Sequence, residues 1–286
     1  FLALPYLYSS LDYCTNSIIL VMTSVLSHRL PVTGRFISTA VLKTKWKSDV
    51  IYLYQFPRSP VVPNLSPYCL KLETYLRIKN IKYEIIESYR LKSEKGLMPF
   101  IELNGRQIPD SGIIIRHLEK HFDCADRLTE EEKGVARAVD RMLDCSTLHA
   151  IQLDRLVKNG NGRLFASRAV SGLPLPGFIT DRIGERMAAI MGRRMRGALG
   201  RLSDEEIREL LKIDLTAINS IVGDKRFLFG DIPSAADCSV FGHVASTYFL
   251  PYRQTLSDAL DDDLPSLKGL INRIRIHYYP EWKDPQ

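Results

Sequence analysis

The sequence predicts an α+β domain over residues 49–124 followed by an all-helical domain over residues 125–286, preceded by an apolar segment and basic linker over residues 1–48. Three observations predict it. A short apolar run, Val50-Ile51-Tyr52-Leu53-Tyr54, leads through a proline-punctuated loop, Phe56 to Leu65, into a helix opening at Ser66-Pro67-Tyr68-Cys69. An Asn104-Gly105 pair between two strand-like runs marks a hairpin, because both turn residues must take positive φ. From Thr129 onward strand signals stop and capping boxes recur: Thr129, Ser203 and Ser234 each stand three residues ahead of Glu132, Glu206 or Asp237.

With 286 residues, 45% of them apolar and 25% charged, the composition suits a globular chain of two domains. Its net charge of +6 is too mild to imply nucleic acid, and no RNA- or DNA-binding motif accompanies it. Five cysteines, Cys14, Cys69, Cys124, Cys145 and Cys238, are odd in number and scattered. None forms a Cys-x-x-Cys pair, which argues against a disulfide framework or a zinc site and for a reducing compartment.

Residues 1–27 carry one charge, Asp12, and Tyr13 to Ser27 is an uncharged run of 15 residues. That is short of the roughly 20 a spanning helix needs. The run reads as a membrane anchor completed by its flanks, as a cleaved signal peptide, or as an extension without membrane contact. Arg29, Arg35, Lys43, Lys45 and Lys47 follow it, so an anchored chain would leave its folded domains in the cytoplasm.

In the first domain Ser66 suits the N-cap, where its hydroxyl accepts an orphan amide proton, and Pro67 suits the next position. Leu70, Leu72, Tyr75, Leu76 and Ile78 form the apolar stripe, with Lys71, Glu73, Arg77 and Lys79 mostly between them. A helix N-terminus favours an anion such as a thiolate, and thioredoxin-like proteins place their chemistry there. Ser66-Pro67-Tyr68-Cys69 resembles the glutaredoxin Cys-Pro-Tyr-Cys motif with serine in place of the attacking cysteine. Dithiol redox cycling is thereby excluded. Either this serine caps the helix and does nothing more, or it donates a hydrogen bond to a bound thiolate, as in several glutathione transferase classes.

Ile81 to Glu87 reads as a second strand, and Phe100 to Leu103 with Arg106 to Ile108 as the hairpin. In thioredoxin-like folds the proline of Met98-Pro99 is held cis, exposing the backbone of the preceding residue to glutathione. Asp110-Ser111 opens the next helix. In glutathione transferases an acidic residue followed by serine here holds the γ-glutamyl end of glutathione, and a capping pair is the plainer reading. His117 and His121 have metal-ligand spacing, but Leu118 stands where a zincin needs glutamate, so no metal is expected.

In the second domain the first capping box opens a helix reaching about Val157. Helices follow from Ile207 to Val222 and from Cys238 to Phe249. Ser234 and Asp237 match the buried capping box of glutathione transferases, a folding element. Asn159 onward is loop-like, with Gly160, Gly162, Gly172, Pro174, Pro176 and Gly177. From Asp181 to Leu202 the helical period puts Arg182, Arg186, Arg193 and Arg196 on one side and Ile183, Met187, Ile190, Met191 and Met195 on another. Such a basic amphipathic helix fits anionic lipid, an acidic partner, or an ordinary solvated bundle face.

A thioredoxin-like half followed by a helical half resembles the glutathione transferase architecture, and longer blocks narrow the resemblance. These are Leu65 to Arg77, Gly200 to Ile207, Gly223-Asp224-Lys225, Val240-Phe241-Gly242-His243 and Pro280-Glu281-Trp282. They resemble the failed axon connections family, a metaxin-related branch of the transferase-like superfamily; nematode cadmium-responsive proteins look like close relatives. The resemblance implies a membrane-associated scaffold or adaptor implicated in axon development, with protein partners and no required cofactor. The alternatives are a glutathione-dependent transferase using Ser66, with Met98, Pro99, Asp110 and Ser111 holding glutathione as substrate, and a cadmium- or stress-responsive protein. Whether the chain is an enzyme, and whether it forms a homodimer, stay open. Ten residues, Phe56 to Leu65, separate strand from helix against about 2–6 in βα connections, so this loop could cover the glutathione pocket.

Overall fold

A computed structural model describes residues 41–158 and 162–282. The anchor reading of residues 13–27 therefore lies outside the described residues, as do Asn159 and Gly160. Strand β1 (Ile51–Gln55) is buried along its whole length. It is followed by α1 (Pro67–Ile78), β2 (Tyr83–Glu87), β3 (Phe100–Leu103), β4 (Arg106–Pro109) and α2 (Ser111–His121). The strand order is β2-β1-β3-β4, with β1 and β2 parallel through the α1 crossover and β3 antiparallel to β1 and β4. Asn104 and Gly105 take φ of 49° and 75°, the positive values a two-residue hairpin turn demands.

One face of the sheet, through Ile51, Leu53, Ile101 and Leu103, packs on Leu72, Tyr75 and Leu76 of α1 and on Ile114, Ile115 and Leu118 of α2. The other face carries Tyr52, Tyr54 and Phe100 and is covered by irregular chain at Leu42, Tyr89 and Leu91. Glu102, buried under this cover, accepts hydrogen bonds from Leu42 N at 2.7 Å, Lys43 N at 2.9 Å and Tyr54 Oη at 2.9 Å. Three donors satisfy a carboxylate that burial would otherwise penalise. Helix α1 stops where Asn80 takes a φ of 50° and Ile81 N reaches back to Leu76 O, a left-handed termination that asparagine tolerates.

The helical domain comprises α3 (Glu130–Met142), α4 (Leu148–Lys158), the short α5 (Arg163–Ala166) and α6 (Arg168–Ser171), α7 (Gly177–Leu199), α8 (Asp204–Val222), α9 (Ala235–Tyr248), α10 (Thr255–Asp262) and α11 (Pro265–Tyr278). A π-helical turn, Leu143–Thr147, joins α3 to α4, so the expected long helix is continuous apart from this insertion. Helix α7 begins four residues before the expected Asp181, where the extended Pro176 admits the first turn, and ends at Leu199 because Gly200 takes a φ of 76°.

Helix α9 is the hinge of the architecture. Leu70 of α1 belongs to the core of the helical domain, while Cys238 of α9 belongs to the core under the sheet. Gly242 permits this contact: a Cβ there would fall 2.5 Å from Pro67 O and 2.8 Å from Lys71 N. The helix expected to present Lys71 and Glu73 between apolar positions buries both, Lys71 under α9 and Glu73 under β1 and the loop that follows it.

Candidate functional site

Ser66 follows β1 at the end of the long loop and caps α1, its Oγ accepting from Cys69 N at a long 3.5 Å. Only 8% of the residue is exposed. Asn64, fully buried, straps the loop by donating from Nδ2 to Phe56 O at 2.8 Å and accepting at Oδ1 from Ser66 N at 3.0 Å. Burial pushes the Cys69 thiol up to about 11, against the opposing hydrogen bonds of the Phe56 backbone and Ser66. A buried thiol of this kind is inert.

The loop is fastened at three further points. Arg58 bonds Glu73 through Nη1 and Nη2, each at 2.6 Å, Ser59 Oγ donates to Val170 O at 2.6 Å, and Trp282 Nε1 donates to Val61 O at 3.0 Å. Glu73 also receives Gln55 Nε2 at 3.0 Å, Arg77 Nη2 at 2.9 Å and Tyr83 Oη at 3.3 Å. Strands β1 and β2, the loop and α1 thus converge on one carboxylate. Lys92, with its ammonium 5.4 Å from the centre of the Phe56 ring, is lowered to about 8 by burial.

Met98 and Pro99 join through a cis peptide bond. The pairing of Phe100 with Pro109 brings them beside Asp110 and Ser111, and Met98 shares an apolar cluster with Phe56 and Cys69 at the start of α1. Asp110, not Ser111, caps α2, its Oδ1 accepting from Ile113 N at 2.9 Å. It holds φ 73° and ψ 120°, a sparsely populated conformation costing on the order of 1–3 kcal/mol, of the sort that gathers at ligand-binding positions.

A small cleft of about 40 Å³ lies between the domains. Phe56, Pro57, Leu65 and Ser66 line one wall; Phe165, Ala166, Leu173, Ile183 and Met187 line the other. Ser66 is therefore brought to an apolar cleft, while Met98, Pro99, Asp110 and Ser111 are not among its lining. The cleft suits an apolar body; charged groups for a peptide-like anion lie elsewhere.

Sequence reasoning missed a second polar cluster between the domains. Lys71 Nζ lies 2.6 Å from Asp140 Oδ1, Ser239 Oγ donates to the same oxygen at 2.9 Å, and His243 Nε2 is 3.5 Å from Asp144 Oδ1. The signal available was the i, i+4 spacing of Asp140 with Asp144 and of Ser239 with His243. Ser234 and Asp237 form a reciprocal capping box, and the Asp237 carboxylate also accepts from Leu228 N at 2.9 Å. Burial raises this carboxyl. Among the described residues no group of three His, Cys, Asp or Glu side chains could hold a metal; His121 Nε2 instead lies 2.9 Å from Asp49 Oδ1.

This arrangement matches known proteins along most of its length. The glutathione S-transferase N-terminal domain family matches residues 67–161, and the glutathione S-transferase C-terminal domain family matches residues 211–274. Failed axon connections of Drosophila melanogaster is 35% identical over 259 residues, covering 85% of this chain and 62% of the fly protein. The chain is similar to failed axon connections along most of its own length. It spans less than two thirds of that relative's length. Metaxin-2 of Mus musculus is 21% identical across 88% of this chain and 97% of its own. An isoprene-epoxide glutathione S-transferase of Rhodococcus is 24% identical across 80% of this chain and 99% of its own. Among solved structures, a glutathione transferase from Phanerochaete chrysosporium superposes with a TM-score of 0.57 at 16% identity, covering 80% of this chain and 97% of that one. The fold is accordingly a thioredoxin-like domain followed by a helical transferase-type domain.

Proposed function

We propose that this protein is a membrane-associated scaffold of the cytoplasm, implicated in axon development, that uses a transferase-shaped body to bind protein partners instead of turning over glutathione. The observation that carries the reading is the fastening of loop Phe56–Leu65, which walls the cleft beside Ser66, by Asn64, by the Arg58–Glu73 pair and by Ser59 on Val170. A transferase needs its serine hydroxyl free to meet a thiolate in an open cleft. Here that hydroxyl belongs to a residue only 8% exposed. The axonal setting comes from the name of the fly relative. Among the described residues no helix is long and apolar enough to cross a membrane, so the membrane contact falls to the uncharged run Tyr13 to Ser27 or to a surface. Titration of the full chain with glutathione by calorimetry, with conjugation to a general electrophile followed on the same sample, tests the reading. Absence of both heat and product is expected. Saturable binding with turnover would replace the scaffold with an enzyme.

A second reading, a glutathione-dependent transferase in which Ser66 donates to the thiolate and Met98, Pro99, Asp110 and Ser111 hold the peptide, is favoured by two observations. Ser66 lines the apolar cleft, and Asp110 holds a strained backbone at the head of α2. Glutathione would then be a substrate and no other cofactor would be needed.

A further inference from the structure

The outer face of α7 is built unlike the rest of the helical domain. Its buried side, Ile183, Met187, Met191 and Met195, leaves positions 178, 182, 186, 189 and 193 facing away at steps of three and four residues, and all five are exposed. At 23 residues the helix runs about 35 Å. Nearby carboxylates are already engaged: Glu185 pairs with Arg163, and Asp204 pairs with Arg196 at 2.9 Å. Asp181 stands at the border of the stripe, half-buried. Arg182, Arg186 and Arg193 make no ion pair among the described residues. Ala189 lies between them, so no bulky side chain keeps the helix from a flat surface.

Apolar groups flank this stripe instead of being withdrawn from it. Phe178, at the first turn of α7, is 71% exposed, and Leu164 of α5 is 45% exposed. Helix α5 is pressed against α7, since a Cβ at Gly184 would fall 2.5 Å from Gly162 O. Unpaired guanidinium groups in a line, with an aromatic and a leucine standing out beside them, complement a plane that offers phosphates above hydrocarbon. An acidic protein would satisfy the arginines and leave both apolar side chains in water.

We propose that α7 is a docking face for anionic phospholipid bilayers, with Arg182, Arg186 and Arg193 meeting headgroup phosphates and Phe178 entering the interface. Guanidinium forks suit phosphate oxygens. Peripheral helices with a basic polar side and apolar anchors bind in this way. The inference deepens the membrane-associated reading by naming the surface and the lipid chemistry. It stands apart from the N-terminal segment, and the test separates the two.

Sedimentation of the full chain with vesicles of phosphatidylcholine, alone or with about one third phosphatidylserine, measures the contact. Wild type is expected to bind the phosphatidylserine vesicles more tightly, with an advantage that salt erodes as the Debye length shortens. Arg186→Glu with Arg193→Glu should weaken that binding at least about 25-fold, about fivefold for each basic residue lost near an anionic surface before the repulsion of the new carboxylates is added. Phe178→Ser should weaken binding to both vesicles while preserving the salt dependence. Circular dichroism confirms that these exposed substitutions leave the fold intact. A folded double variant that sediments like wild type overturns the α7 face while membrane association through another segment stands. A wild type that binds both vesicles alike overturns the α7 face and leaves the membrane-associated reading standing, whereas a wild type that sediments with neither overturns both.

Discussion

Arg58 and Glu73 meet in a two-pronged ion pair, both N···O distances 2.6 Å, that joins the middle of a surface loop to a fully buried carboxylate on α1. Burial alone would raise the Glu73 carboxyl, but Arg58, Gln55 and Arg77 together hold it below its ordinary 4.5. A folded-state value below the unfolded one means stabilisation that is complete above pH 4.5 and is lost as pH falls below it. Glu73→Gln should therefore cost about 3–5 kcal/mol at neutral pH, toward the lower end because Arg58 keeps partial access to water. Denaturant unfolding as a function of pH checks this. Wild-type stability should drop more steeply than that of the variant below pH 4.5, and parallel curves would show that the pair contributes nothing.

The same pair anchors the loop that walls the cleft. Removing its loop partner by Arg58→Ala should free residues 56–65 without unfolding α1, whose Glu73 keeps Arg77 and Gln55. Hydrogen exchange followed by mass spectrometry should show faster exchange confined to this loop. If the loop gates the cleft, calorimetry should also detect glutathione binding to the variant that wild type lacks. Unchanged exchange would mean that Asn64 and Ser59 hold the loop unaided.

Features set by local chemistry were legible in the sequence. The hairpin needed only Asn104-Gly105, and the start of α1 needed only Ser66-Pro67, since each depends on two adjacent residues. Lys71 and Glu73 read as polar positions between apolar ones because helical period reports faces and not what covers them. The burial of Lys71 follows from α9, whose approach depends on Gly242 some 170 residues later in the chain, and that of Glu73 from Gln55, Arg58 and Tyr83 on β1, the loop and β2. The site divides in the same way. Ser66 could be found from its motif, whereas Arg58, Asp140, Asp144 and His243 gain their partners only through tertiary contact. The loop's length hinted at a cover, but nothing local disclosed its fastenings to Val170 and Trp282.

Gly242 tests whether the two domains depend on this close approach. In Gly242→Ala the added methyl meets backbone atoms, Pro67 O at 2.5 Å and Lys71 N at 2.8 Å, which no side-chain rotation relieves. Overpacking of this kind costs about 1–3 kcal/mol. The loss would outweigh the helix-propensity gain of roughly 1 kcal/mol that alanine brings over glycine. Thermal unfolding should show a lowered midpoint. A midpoint at or above that of wild type would show that α9 can shift away from α1 freely.

Ser66 separates the scaffold from the enzyme. As a cap with a 3.5 Å contact, its replacement in Ser66→Ala should cost little, the low end of about 0.5–2 kcal/mol. Ser66→Cys restores a Cys-Pro-Tyr-Cys order at a helix N-terminus, where the introduced thiol could fall to roughly 3.5–7.5 and attack a disulfide. Glutaredoxin-type turnover through both thiols then requires Cys69 as the resolving thiolate. Burial has raised Cys69 to about 11 and left it without exposed surface. At neutral pH about one molecule in ten thousand would carry that thiolate. The variant should consequently stay folded and show no dithiol reductase activity in a glutathione-coupled assay. Reductase turnover by Ser66→Cys would mean that the loop opens, that glutathione reaches the head of α1, and that the transferase reading must replace the scaffold.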